Sequence, residues 1–220
     1  MREMFPDDLQ EVQTRLVEIA ESVVDIIDNG TVAFCTTDKK KAKYAIAAVE
    51  DISEKALALD ELVIQILSLR SPVARDLRIL VSALRISNSL ERMAAYGGHI
   101  ASIALYRYPS AAVPESMEDT FDEMSRVAVR LARKTQKLLK NTSVDLARKI
   151  QAEDARVDEL HLGVFEMVLS PEWGENAVNT VDVTLASRYL ERFADHVVDI
   201  SSKVSYLTTG DWSDADLEED

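Results

Sequence analysis

Two stretches of this chain repeat each other about a hundred residues apart. A duplication of that length limits the fold more than any composition figure does. At a shift of 105, Ala42-Lys43 falls on Ala147-Arg148, Ala47 on Ala152, Ile52 on Val157 and Glu54 on Glu159. At a shift of 100, Val81 falls on Val181, Ser87 on Ser187, Leu90-Glu91-Arg92 on Leu190-Glu191-Arg192, Ala94 on Ala194 and Ile100 on Ile200. The change of shift places a length difference at the turns before Pro72 and Pro171.

Within each copy the apolar residues keep helical time. Leu9, Val12, Leu16, Ile19, Val23, Ile26 and Ile27 follow the three-four spacing of an amphipathic helix, and so do Leu190, Phe193, Val197, Ile200 and Val204. No segment alternates cleanly with period two, and only six Gly and five Pro interrupt 220 residues. The pattern predicts six long helices over residues 6–34, 39–69, 72–107, 113–140, 144–169 and 172–207. Pro72 and Pro171 are expected in the first turn of helices three and six. Asn29-Gly30 is a normal helix stop and leaves the end of helix one open. The expected fold is all-α: two tandem pseudo-symmetric three-helix bundles, residues 1–107 and 108–210, packed side by side. An acidic tail, 211–220, follows and is expected to fray.

Charge and cysteine content exclude whole classes. Lys and Arg number 25 against 39 Asp and Glu, a formal net charge of −14. Nucleic acid is a poor partner for such a chain, because binding it needs a basic footprint. One cysteine, Cys35, excludes an internal disulfide framework and any multi-cysteine metal site. The stretch free of charged residues from Met93 to Tyr106 is 14 residues long, too short to cross a bilayer. No secretory signal precedes helix one, so a cytoplasmic location is expected. No nucleophile elbow, P-loop or dinucleotide fingerprint occurs.

Two carboxylate pairs stand out in the second copy: Asp154 and Asp158 on helix five, Glu191 and Asp195 on helix six. Residues four apart share a helix face, where like charges repel unless a cation lies between them. Helices five and six are expected to be antiparallel neighbours, so four oxygen-only side chains can converge on a hard cation. Spacing alone proves little, since Glu21/Asp25 and Glu118/Asp122 share it. Position says more: both pairs lie in one copy, on adjacent helices, one of them within the repeated Leu-Glu-Arg frame. Asp199 extends the helix-six row and His161 offers a nitrogen ligand beside Asp158. The first copy has Val49, Ser53 and Ala95 at the matching places and keeps only Glu91. Metal is therefore expected in the second copy alone.

One further inversion occurs on helix four. Met124 to Lys140 contains six bases and no acid: Arg126, Arg130, Arg133, Lys134, Lys137 and Lys140. Arg126, Arg130, Arg133 and Lys137 mark a face for an acidic partner or an anionic membrane. The alternative is a solvated face paired with Glu11, Glu18, Glu21 and Asp25 of helix one.

Three stretches carry a resemblance. Ser71-Pro72-Val73-Ala74-Arg75-Asp76-Leu77-Arg78, then Leu90 to Ala101, then Leu190 to Ile200, resemble the PhoU family of phosphate-transport regulators. That family recurs as Pro-x-Ala-x-Asp-Leu-Arg and Leu-Glu-Arg-Ile-Gly-Asp in two tandem three-helix bundles. Tyr106 to Pro109, Val113-Pro114, Phe121 and Met124 are similar to its actinobacterial branch. The resemblance implies a Glu/Asp-x-x-x-Asp metal motif, which carries over to Asp154, Asp158, Glu191 and Asp195. Iron, manganese, magnesium or calcium are the metals considered. It also implies a cytoplasmic, homodimeric, non-enzymatic adaptor between the ATPase subunit of a phosphate ABC transporter and a sensor histidine kinase. Such an adaptor touches the membrane only through its partners and restrains uptake and the starvation response when phosphate is plentiful. The other reading of the carboxylates is a metal-dependent helical-bundle enzyme.

Overall fold

A computed structural model describes residues 5–72 and 74–209. Six long helices run through them: α1 (Phe5–Thr36), α2 (Lys39–Arg70), α3 (Ala74–Arg107), α4 (Glu118–Asn141), α5 (Val144–Val168) and α6 (Ala177–Thr209). One turn of 3-10 helix, Glu115–Met117, leads into α4. The expected all-α architecture is what the chain adopts, with no strand among the described residues. The acidic tail, 211–220, lies outside them.

Local chemistry sets the turns. Asp38 caps α2 by accepting the backbone N–H groups of Lys40 and Lys41 at 2.9 and 3.1 Å. Ser71 ends the same helix in the left-handed region, φ 48°. Thr142 does so after α4, φ 45°, and Ser143 then caps α5 through the Leu146 N–H. One departure from expectation is at α6, which begins at Ala177 and not at residue 172. Trp173 closes a turn on the carbonyl of Ser170, and the Asn176 side chain accepts the N–H groups of Val178 and Asn179. That cap sets the helix start, so Pro171 lies in the preceding turn. Pro72 likewise precedes α3, and α4 begins five residues later than the spacing suggested, after the 3-10 turn that follows Pro114.

Asn29-Gly30 does not stop α1. A Cβ on Gly30 would stand 2.6 Å from the carbonyl oxygen of Gly97, and one on Gly97 would stand 2.7 Å from Ile26 Cγ2. The two glycines let α1 and α3 touch backbone to backbone, and burial of that contact outweighs glycine's poor helix propensity.

α1, α2 and α3 pack on one another, and so do α4, α5 and α6. The two groups meet along α3 with α6 and along α1 with α4. The first seam joins the two helices that carry the repeated frame, and the frame's apolar residues are buried in the core. Leu90, Met93 and Ala94 on α3, and Leu190, Phe193 and Ala194 on α6, are all at most 1% exposed. Each large apolar side chain so buried stabilises by about 1.5–3 kcal/mol. Ser89 donates to Asp199 at 2.6 Å across this seam, and Arg107 grips the buried Asp182 with two nitrogens. Pairs 89–199 and 107–182 run in opposite senses, so α3 and α6 are antiparallel. Tyr96, His99, Tyr189 and His196 cluster along the same seam, with ring centroids 5.1–6.4 Å apart. On the second seam Phe34 meets Phe121 edge to face at 5.1 Å. Among the described residues, no helix is long and apolar enough to cross a membrane.

Candidate functional site

α5 and α6 pack antiparallel, as His161 facing Ser187 and Asp154 facing Asp195 require. The 3.6-residue period then places Asp154 and Asp158 on the side of α5 that looks toward Glu191 and Asp195. Val157 between the first pair and Ala194 between the second are buried, so both pairs flank the packed stripe at its solvent edge.

The electrostatics report how near the four groups stand. Burial raises the Asp154 carboxyl from 3.8 to about 7, and the charges of Asp158, Asp195 and Glu191 add to it. Asp158 is raised by burial and then by Asp195. Glu191 is raised by burial and by Asp195, with Arg188 and Arg192 pulling the other way. Among the described residues, Asp154 Oδ1 and Glu191 Oε2 are buried and accept no hydrogen bond, although Arg192 Nε lies 3.9 Å from Glu191 Oε2. Two arginines partly occupy the cation's role: Arg188 donates to Glu191 Oε1 at 2.7 Å, and Arg192 lies 3.5 Å from Asp195. As the side chains stand, no three of the His, Cys, Asp and Glu groups among the described residues are gathered around one point. The oxygens therefore share a face without being closed into a coordination shell. Oxygen-only donors, two of them with one buried oxygen that accepts no hydrogen bond among the described residues, fit a hard cation.

Of the two additional ligands considered from sequence, Asp199 lies elsewhere, while His161 stays close enough to feel the charges of Asp158 and Asp195. Asp199 faces the α3 seam, where Ser89 and Lys203 hold its two oxygens. His161 is 9% exposed; its Nδ1 meets Ser187 Oγ at 3.1 Å and its ring abuts Phe165. Burial and then Arg188 lower its pKa, with Asp158 and Asp195 pulling the other way.

The first copy shows what replaced the site. Ser53 donates to Glu91 at 2.8 Å where the second copy sets Asp158 near Glu191. Val49 packs over Gly98. A residue the sequence reading missed, Asp60, lies two turns beyond Ser53. Its Oδ1 is buried without a partner, and burial and Glu91 raise its pKa. Its spacing of seven from Ser53 was the available signal.

The bases of α4 pair differently from the expectation. Arg130 and Lys134 both bind Glu153 of α5, and Arg133 lies 3.7 Å from Asp28 of α1. None of Glu11, Glu18, Glu21 and Asp25 pairs with α4 among the described residues; Glu11 is taken by Arg15 within its own helix. Arg126 and Lys137 are exposed and form no salt bridge there. Lys140 is also exposed, at the end of the helix.

Comparison with known proteins agrees with this architecture. The PhoU domain family matches residues 16–104 and 121–204. The chain is 35% identical over 210 residues to the phosphate-specific transport system accessory protein PhoU homolog 2 of Mycobacterium tuberculosis, covering 96% of this chain and 99% of that one. It is 33% identical over 216 residues to PhoU homolog 1 of Mycobacterium leprae, covering 98% and 97%. The crystal structure of PhoU from Pseudomonas aeruginosa superposes with a TM-score of 0.89 at 22% identity, over 94% of this chain and all of that one.

Proposed function

Since the chain belongs to the PhoU domain family, we propose that it is an accessory regulator of phosphate transport, acting in the cytoplasm between a phosphate ABC transporter and a sensor histidine kinase. The observation that supports this reading is the match of both copies, together with relatives of nearly the same length that are named as phosphate-specific transport system accessory proteins. Those homologues are accessory proteins and not enzymes, and the chain is read in the same class. The acidic seam is then a structural and signalling feature, with no reaction assigned to it.

In this proposal the protein works as a homodimer. It contacts the transporter's ATPase subunit and the kinase, restrains uptake and starvation signalling when phosphate is plentiful, and reaches the membrane only through those partners. Nucleic acid has no part in it. Asp154, Asp158, Glu191 and Asp195 hold a hard cation: magnesium, manganese, calcium or iron. When bound, the ion neutralises the four carboxylates and ties α5 to α6.

Co-purification from cells grown in high and in low phosphate tests the adaptor role. The ATPase subunit or the kinase should come down with the chain in a phosphate-dependent amount. Repeated recovery of neither ends the reading. Elemental analysis of protein purified without chelator tests the ion: the Asp154→Ala, Glu191→Ala variant should lose it. An unchanged metal content would remove these residues from the site.

A further inference from the structure

On the seam away from the acidic pairs, α1 and α4 run antiparallel, as Asp28 beside Arg133 and Cys35 beside Ser125 require. The groove between them encloses about 620 Å³. Neither the accessory role nor the carboxylate face uses it. Its lining holds Arg126, Arg130, Arg133, Lys134 and Lys137, against only two carboxylates, Asp28 and Asp122. This is a strong local inversion in a chain with a formal net charge of −14. We propose that the groove binds a small anion made of two or more linked phosphate groups, either free or as the phosphate chain of a nucleotide.

The charge there is incompletely neutralised. Arg130 and Lys134 share a single carboxylate, Glu153. Among the described residues, Arg133 pairs only with Asp28, at 3.7 Å. Arg126 and Lys137, at the two ends of the row, form no salt bridge among the described residues. From Arg126 to Lys137 the row runs roughly 16 Å along the helix axis. One orthophosphate reaches only neighbouring members of such a row. A linear oligophosphate lies along it and meets several at once.

Three features favour a small phosphate ligand over other anions. Three of the five bases are arginines, whose planar forks match phosphate oxygens two at a time. The cavity falls within the size of small-molecule sites. The bases line a concavity with Val32 and Val129 in its wall, which a flat bilayer surface touches only at the rim. An acidic protein segment is the competing occupant and is decided by the test.

The full chain in metal-free buffer is titrated by calorimetry with inorganic tripolyphosphate, ATP, orthophosphate and a ten-residue polyglutamate peptide. Cys35, the only cysteine in the sequence, lines the same groove, so its rate of alkylation reports whether the ligand sits there. Tripolyphosphate or ATP should bind at one saturable site about tenfold or more tighter than orthophosphate or the peptide, and should slow Cys35 labelling. Equal binding of the first two assigns recognition to the phosphate chain alone; tighter ATP adds the nucleoside. Arg126→Gln with Lys137→Gln should weaken binding about tenfold while leaving the helical circular dichroism intact, because both side chains are exposed. Absence of saturable binding, unchanged affinity in that variant, unaffected Cys35 labelling, or polyglutamate binding as tightly as tripolyphosphate each overturns the proposal. Failure here leaves the co-purification result untouched, so the two readings fall separately.

Discussion

Replacing Asp154 with Asn should stabilise the metal-free protein at alkaline pH and leave it unchanged in acid. Asp154 holds a buried oxygen that meets no donor, and burial together with three neighbouring carboxylates raises its carboxyl from 3.8 to about 7. In the unfolded chain the same group ionises near its ordinary value, about 3.9. Between those two values the folded protein keeps a proton that the unfolded chain has released. Stability therefore falls as pH rises through this window and levels off above it; below about pH 4 both states are protonated and the penalty is gone. A gap of roughly three pH units at about 1.36 kcal/mol each gives a ceiling near 4 kcal/mol. Asp154 is only half-buried, and solvent screening brings the figure to about 2 kcal/mol. Asn keeps the shape without the charge. Urea unfolding in chelator should show a higher midpoint for Asp154→Asn at about pH 8 and coincident curves at about pH 4. Added divalent cation should raise the wild type more than the variant, because the ion binds the folded carboxylates. A variant that is less stable at alkaline pH, or offset equally at both, would refute the account of a crowded acidic face.

Two glycines make a contrasting pair. Gly30→Ala drives a methyl to 2.6 Å from a backbone oxygen, so α1 must move off α3, and thermal denaturation should show a net loss of about 1–3 kcal/mol. Gly163→Ala meets nothing within 4 Å and should gain about 0.5–1 kcal/mol by helix propensity; a shared sign would contradict the close approach. Arg107→Ala strands Asp182, 3% exposed, and should cost about 3 kcal/mol in chemical unfolding. A loss no larger than that of an exposed arginine would mean the pair does not hold the α3–α6 seam.

How much of this was legible depends on the range of the physics involved. The six helices and the burial of Leu90 and Leu190 in the repeated frame follow from local spacing, and the structure has them. Boundaries that drifted did so where a side chain outside the apolar pattern decided, as Asn176 did for α6. Asn29-Gly30 left the end of α1 open because the partner of Gly30, Gly97, lies 67 residues away on another helix; nothing local announces a backbone contact of that kind. The shared face of Asp154, Asp158, Glu191 and Asp195 was readable because two helix faces and one antiparallel neighbour suffice to place it.

The remaining candidates needed a third element. Asp199 shares the row of Glu191 and Asp195 in sequence, but four residues of helix rotate it by about 40° toward α3, where Ser89 waits. One of the two readings of the α4 bases paired them with the acids of α1. Glu153 on α5 takes two of the bases, which no spacing rule within α4 can express. The cations that Glu153 leaves over face α1, and the groove's charge is set by that imbalance. Charge rows are visible in a sequence, but their neutralisation is a tertiary quantity. A row therefore becomes a binding hypothesis only after its partners have been assigned residue by residue.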